Sequence, residues 1–269
     1  MYGENFVYNI YTIYCALLLT RCTIYAILTP RAFMKGVCFM KFAGVQKLTL
    51  LDFPGVVACT AFTVGCNFKC PFCHNATLVN GKDGSFLSED EVVDFLKSRV
   101  GILEGVVVTG GEPLLHHDID GFLRKVKELG YSVKIDTNGT NPELLEKLVN
   151  EKLVDYVAMD IKNSPEEYEP AVGKVKADLS AIGRSKDFLL RGKTDYEFRT
   201  TVVKGIHTKE SIASLTEWIS GAKRYFLQQY KESSDILCPQ GLTAFSKEEM
   251  QQLLDIAKPN VHTADLRGI

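Results

Sequence analysis

From Met40 onward, short apolar runs rich in β-branched residues alternate with amphipathic stretches, and little besides a parallel sheet or barrel wrapped by helices can satisfy that rhythm. Val56 to Val64 (VVACTAFTV) reads as a buried strand, and so do Gly105–Thr109, Tyr131–Asp136, Tyr156–Asp160, Tyr196–Val203 and Arg224–Gln228. Between them lie helical signals. Ser88 followed by Glu91 is a capping-box pattern opening a helix that ends near Gly101. FLRKVKELG stops at Gly130, a helix starts at Pro142, and another runs from about Lys209 to Ser220. The polar segment between Asp160 and Asp195 is helical in places, with weak boundaries.

In such folds chemistry collects at the C-terminal ends of the strands. Four motifs fall there: Cys66–Cys73 after the first strand, Gly110-Gly111-Glu112-Pro113 after the second, Asp136-Thr137-Asn138-Gly139 after the third, and Asp160-Ile161-Lys162 after the fourth. The net charge of -2, from 31 basic and 33 acidic residues, offers no basic groove for nucleic acid and no strong attraction to an anionic membrane.

The first 39 residues stand apart, with Arg21, Arg31 and Lys35 against Glu4 alone and a nearly apolar stretch from Phe6 to Leu28. Two readings fit: a marginal membrane anchor interrupted by Asn9 and Arg21, or upstream translation before a start at Met34 or Met40. The absence of a basic region before the apolar stretch counts against a secretory signal. Residues 1–39 are therefore expected to be an extension, and residues 40–269 the functional domain.

Three of the eight cysteines fall within Cys66-Asn67-Phe68-Lys69-Cys70-Pro71-Phe72-Cys73, a C-x3-C-x2-C spacing that can wrap three thiolates around one inorganic centre in a reducing compartment. A zinc site completed by His74 is one reading, but His74 directly follows Cys73 and is an awkward fourth corner. An iron–sulfur cube fits better. Four cysteines usually hold a [4Fe–4S] cluster, so three imply an iron left open for a substrate or cofactor. Residues 74–237 contain no further cysteine and hence no second cluster, and no phosphate-binding GxxxxGK[ST] loop is present.

This spacing, with an aromatic residue before its last cysteine, resembles the radical S-adenosylmethionine (SAM) superfamily, and GGEP resembles that superfamily's glycine-rich cofactor motif. More narrowly, GVQKLTLLDFPGVVACTAFTVGCNFKCPFCHN with TGGEPLL, DTNG and VAMDIK resembles the anaerobic ribonucleoside-triphosphate reductase activating proteins, within the glycyl-radical enzyme activases. The resemblance covers Met40 to the C-terminus. It implies a partial (β/α)6 TIM-like barrel open on one side, one [4Fe–4S] cluster held by Cys66, Cys70 and Cys73, and SAM chelating the fourth iron. It further implies a cytoplasmic enzyme, an electron donor such as flavodoxin or ferredoxin, and hydrogen abstraction from a glycine of a partner enzyme. That partner would be anaerobic ribonucleotide reductase, or alternatively pyruvate formate-lyase or another glycyl-radical enzyme.

By the same resemblance Phe72 meets the adenine, with His74 beside it. Gly110 and Gly111 let the backbone approach the ligand, and Glu112 receives its ammonium. Asp136 and Asn138 are expected to bond the ribose or the methionyl amine, although Asn138-Gly139 is also a common turn dipeptide. Asp160 and Lys162 share a face of an extended segment, so Lys162 can neutralise the methionyl carboxylate while Asp160 orients it. Arg199, inside a strand, requires a carboxylate or ribose partner. Gln228 and Gln229 are placed facing the adenosine. His116, His117 and His207 read as solvated or capping side chains.

Overall fold

The computed structural model describes residues 40–269 apart from 81–84 and 234. The expectations for residues 1–39 lie outside the described residues. Within Met40–Ile269 the elements run, in order, β1 (Lys41–Thr49), β2 (Ala58–Thr63), α1 (Ala76–Asn80), β3 (Leu87–Ser88), α2 (Glu89–Lys97), β4 (Gly105–Gly110), α3 (Ile119–Glu128), β5 (Ser132–Thr137), α4 (Pro142–Asn150), β6 (Tyr156–Asp160), α5 (Tyr168–Ala171), α6 (Leu179–Leu190), β7 (Asp195–Val202), α7 (Lys209–Trp218), β8 (Tyr225–Gln229), α8 (Lys247–Ala257) and β9 (Ala264–Arg267). Single 3-10 turns at Pro113–Leu115 and Pro165–Glu167 follow β4 and β6.

The sheet order is β3-β1-β2-β4-β5-β6-β7-β8-β9. From β2 to β9 every neighbour is parallel, while β1 lies antiparallel to both β2 and β3. β3 and β9 do not pair with each other, so the sheet stays open, in line with the expected partial barrel. The six expected parallel strands are all present, within two residues of their expected bounds. Three more complete the sheet: β1, whose KFAGVQKLT lacks an apolar run, with the two-residue β3 outside it at one edge, and the four-residue β9 at the other.

The helices follow the physics of their ends. Ser88 accepts from the Glu91 N–H while Glu91 reaches back to the Ser88 N–H, the reciprocal capping box expected there. Pro142 opens α4 behind the Asn141 cap. On α3 the buried positions Ile119, Phe122, Leu123 and Val126 recur at helical spacing and meet the apolar sheet face, where Val106, Val108, Val133 and Ile135 are fully buried. Among the described residues no helix is long and apolar enough to cross a membrane.

Candidate functional site

The parallel strands aim their C-terminal ends at one rim, where an open cleft of about 190 Å³ lies. Its lining includes Cys66, Cys70, Phe72, Cys73, His74, Gly110, Gly111, Glu112, Asp136, Asn138, Asp160 and Lys162. Twelve of the fifteen residues expected from sequence thus meet in one place; Arg199 lies behind them, and Gln228 and Gln229 lie outside the lining.

The cysteine loop is held from several sides. Gly65 donates its N–H to Leu78 O (2.9 Å), Lys69 N–H to Val172 O (3.1 Å) and Cys73 N–H to Cys70 O (3.0 Å). Phe68 and Phe72 are buried, Phe68 against Tyr168 and Phe72 edge-on to His207. Burial pushes the Cys66 thiol up to about 12 and the Cys70 thiol up to about 11, with the Lys162 ammonium acting in the opposite direction on both. Metal must therefore displace protons from this loop.

The glycine turn after β4 is shaped by contact with the same loop. A Cβ on Gly111 would sit 1.9 Å from Gly65 O, and one on Gly110, whose φ is +114°, would sit 2.5 Å from Thr63 O. Glu112 turns inward and is 1% exposed. Its carboxylate accepts from Leu114 N–H (3.1 Å), the Thr137 hydroxyl (2.7 Å) and Asn138 N–H (2.7 Å). Burial raises its pKa to about 7 despite those donors. Glu112 thus welds the turn after β4 to the turn after β5. Asn138 continues the weld, donating from Nδ2 to Asn67 Oδ1 (2.8 Å) in the cysteine loop.

Three adjacent strands supply the charges. Arg199, on β7, donates from Nε to Asp160 Oδ1 (2.9 Å) and from a terminal nitrogen to Asp136 Oδ2 (3.1 Å). Lys162 meets Asp160 Oδ2 at 3.0 Å, and the buried Lys134 pairs with Asp136 Oδ1. Burial alone would raise the Asp160 pKa, but Arg199 and Lys162 outweigh it and hold it at about 2. Asp136 is likewise depressed, burial being outweighed by Arg199 and Lys134. Both acids are ionised at neutral pH, and Lys162 stays protonated because Asp160 and its neighbours outweigh its burial.

Of the two roles expected of His207, solvated or capping, the structure excludes the first. The ring is buried, not solvated: Nε2–H donates to Lys162 O (2.8 Å), Nδ1 accepts from Val203 N–H (3.1 Å), and burial lowers its pKa to about 4. The neutral ring braces the backbone of Lys162. His116 is half-buried and donates to Val64 O (3.0 Å), while His117 is exposed. Gln228 and Gln229 do not line the cleft, and Gln229 donates instead to Phe245 O (2.8 Å). The sequence reading passed over Thr137 and Lys134. A lysine and an aspartate two apart within a short strand (SVKIDT), and so on one face of it, were the available signal.

The same cleft can be tested against a cluster and SAM. Among the described residues no three His, Cys, Asp or Glu side chains come close enough together to hold a single ion. Three thiols spread around one cleft suit a polynuclear cluster, whose ligands sit on separate metal atoms. The glycine turn along the cleft wall and the Lys162 ammonium beside Asp160 suit a zwitterionic amino-acid group. The residues present fit both.

Comparison with known proteins agrees. Residues 60–185 match the model of the Radical SAM superfamily. A Methanocaldococcus jannaschii protein named as a glycyl-radical enzyme activating enzyme is 33% identical over 236 residues, covering 84% of this chain and 95% of that one. This chain belongs to the radical SAM superfamily. Within it, the match over nearly the whole length of that relative places the chain in the family of glycyl-radical enzyme activating enzymes, which use a [4Fe–4S] cluster and SAM. The pyruvate formate-lyase-activating enzyme of Clostridium pasteurianum is 30% identical over 138 residues, covering 49% of this chain and 57% of that protein. Among solved structures, Streptococcus suis SuiB bound to S-adenosylmethionine superposes with a TM-score of 0.61 at 17% identity, covering 76% of this chain. The match spans about half of SuiB (48%) and speaks for the fold alone.

Proposed function

We propose that this radical SAM enzyme abstracts hydrogen from a backbone glycine of an anaerobic ribonucleoside-triphosphate reductase, leaving a stable glycyl radical on that partner. The observation that carries the radical chemistry is the meeting of Cys66, Cys70 and Cys73 with the glycine turn and Lys162 around one open cleft. The choice of partner rests on the motif resemblance from GVQKLTLLDFPG to VAMDIK. In this reading Cys66, Cys70 and Cys73 would hold the cluster, with SAM bound beside it in the cleft. Bound together, cluster and SAM supply a reductively generated 5′-deoxyadenosyl radical.

The chain's own residues bind, orient and exclude water. Phe72 and His74 border the adenine. Backbone groups at Gly110 and Gly111 take the methionyl ammonium, with Glu112 holding that turn in place. Lys162 takes the carboxylate, while Asp136, Asn138 and Asp160 complete the polar wall. The unclosed sheet leaves room for a loop of a protein substrate. The hydrogen moves downhill, because a glycyl Cα–H is weaker than the C–H formed on deoxyadenosine. Flavodoxin or ferredoxin would deliver the electron, in the reducing cytoplasm.

A second reading, activation of pyruvate formate-lyase, is favoured by the 30% identity to the C. pasteurianum activating enzyme. One experiment separates the two. The full chain is reconstituted with iron and sulfide without oxygen, reduced, given SAM, and offered each partner in turn under electron paramagnetic resonance. A glycine-centred doublet on the reductase supports the first reading. A doublet only on the lyase replaces it with the second, and 5′-deoxyadenosine without any doublet removes both.

A further inference from the structure

Behind the cleft wall runs a row of five alternating charges: Lys134, Asp136, Arg199, Asp160 and Lys162. Each carboxylate spends both oxygens inside the row, one on the cation to either side. Asp136, Asp160 and Lys162 face the cleft, whereas Arg199 and Lys134 do not, and Lys134 is 1% exposed. The backbone dictates this arrangement. Lys134 and Asp136 lie two apart on β5, Asp160 and Arg199 are register partners on β6 and β7, and Lys162 lies two beyond Asp160.

Stability does not account for Lys134. A buried lysine is costly to desolvate, and an apolar side chain of similar volume serves a barrel interior at least as well. The charge count explains it better. Three cations against two anions leave the row one positive charge in surplus, and that surplus falls on Lys162, the end that opens to the cleft. Glu112, the other acid lining the cleft, is bonded only to uncharged donors. The surplus offsets Glu112 when it is ionised; without Lys134 the row is neutral and the cleft net negative. Glu197, on the same face of β7 as Arg199, does not disturb the count, because Arg267 grips it with two nitrogens (2.6 and 2.8 Å).

We propose that Lys134 is a positioning residue for the SAM carboxylate: it neutralises Asp136 from behind, so that Arg199 is free to satisfy Asp160 and Lys162 is free to receive an anion. This rests on the SAM-binding reading above. Lys134 never touches the ligand; it acts through four ion pairs.

The test uses the full-length, cluster-reconstituted protein and measures equilibrium binding of SAM and of 5′-methylthioadenosine, which lacks the amino-acid moiety. Lys134→Gln keeps a hydrogen-bond donor for Asp136 without the charge, Lys134→Met removes both, and Lys134→Arg keeps the charge. Gln and Met should weaken SAM binding roughly five- to tenfold, the scale of one unit charge acting through an interior of effective dielectric about 20. Methylthioadenosine binding and iron content should not change, and Arg should retain most of the SAM affinity. Unaltered SAM affinity in Lys134→Gln, equal weakening of both ligands, or loss of the fold in all three variants would each overturn the proposal, the last by making Lys134 purely structural. If the unaltered protein binds methylthioadenosine but not SAM, or neither, the SAM-binding reading fails first.

Discussion

Replacing Gly111 by alanine tests the way the cleft is built. The added Cβ would lie 1.9 Å from Gly65 O, 2.6 Å from its carbonyl carbon and 3.1 Å from its nitrogen. A comfortable carbon contact is about 3.5 Å, so the two backbones must part by more than about 1 Å. Neither side can yield by a rotamer change, since every atom met is main chain. Parting them also breaks the 2.8 Å bond from Glu112 N–H to Gly65 O. Overpacking at about 1–3 kcal/mol and a lost hydrogen bond at about 1 kcal/mol give a cost of about 2–4 kcal/mol. For a domain of this size that lowers Tm by about 5–15 °C. Because Gly65 directly precedes Cys66, the same shift displaces the first thiol, and iron and sulfide retained after reconstitution should fall with Tm. Gly121→Ala is the control: it lies within α3, meets nothing within 4 Å and should leave Tm unchanged or slightly raised. The reasoning is refuted if Gly111→Ala melts like the unaltered protein and holds as much iron.

Three further outcomes follow from the charges. Glu112 has a folded pKa of about 7 against an ordinary 4.5, so the folded state binds the extra proton between those values. Its contribution is present below about pH 4.5 and is lost as pH rises through 7, on the order of 3 kcal/mol in all. Urea unfolding of the cluster-free protein at pH 5 and pH 8 should show that slope, and Glu112→Gln should flatten it; an unchanged slope contradicts the burial argument. Cys70→Ala should abolish cluster assembly, whereas Lys162→Ala should keep the iron and weaken SAM binding at least tenfold, as loss of a charge-assisted contact of roughly 1.5–3 kcal/mol requires. SAM binding that survives Lys162→Ala at full strength removes that lysine from the site. Finally, Arg267→Met leaves the buried Glu197 without its paired cation and should cost about 3 kcal/mol by denaturant midpoint, with most of it recovered by adding Glu197→Gln. Equal stability of the single and double variants would show the pair to be neutral.

Much of this protein is written in local pattern. The spacing of Cys66, Cys70 and Cys73 sets the sulfur donor set because eight residues of chain can only travel so far. The β-branched runs and the Ser88 and Asn141 caps set strands and helices because those preferences act over one or two turns. Placement of twelve site residues on one rim follows from parallel strands all ending at the same side. Partnership across the barrel was not legible in this way. Arg199 and Asp136 are 63 residues apart, and whether that arginine faces a ligand or backs two carboxylates depends on the β5–β6–β7 register. His207, read from sequence as solvated or capping, is buried with its ring on the backbone Lys162 O, a choice made by the packing after β6. Glu112, adjacent to two glycines, spends its carboxylate on Leu114 N–H in its own turn and on Thr137 and Asn138 after the next strand, and the latter pair only folding can assemble. Chemistry carried by spacing along the chain was fixed before folding; charge balance, burial and the direction of each polar side chain were decided by which strands came to lie side by side.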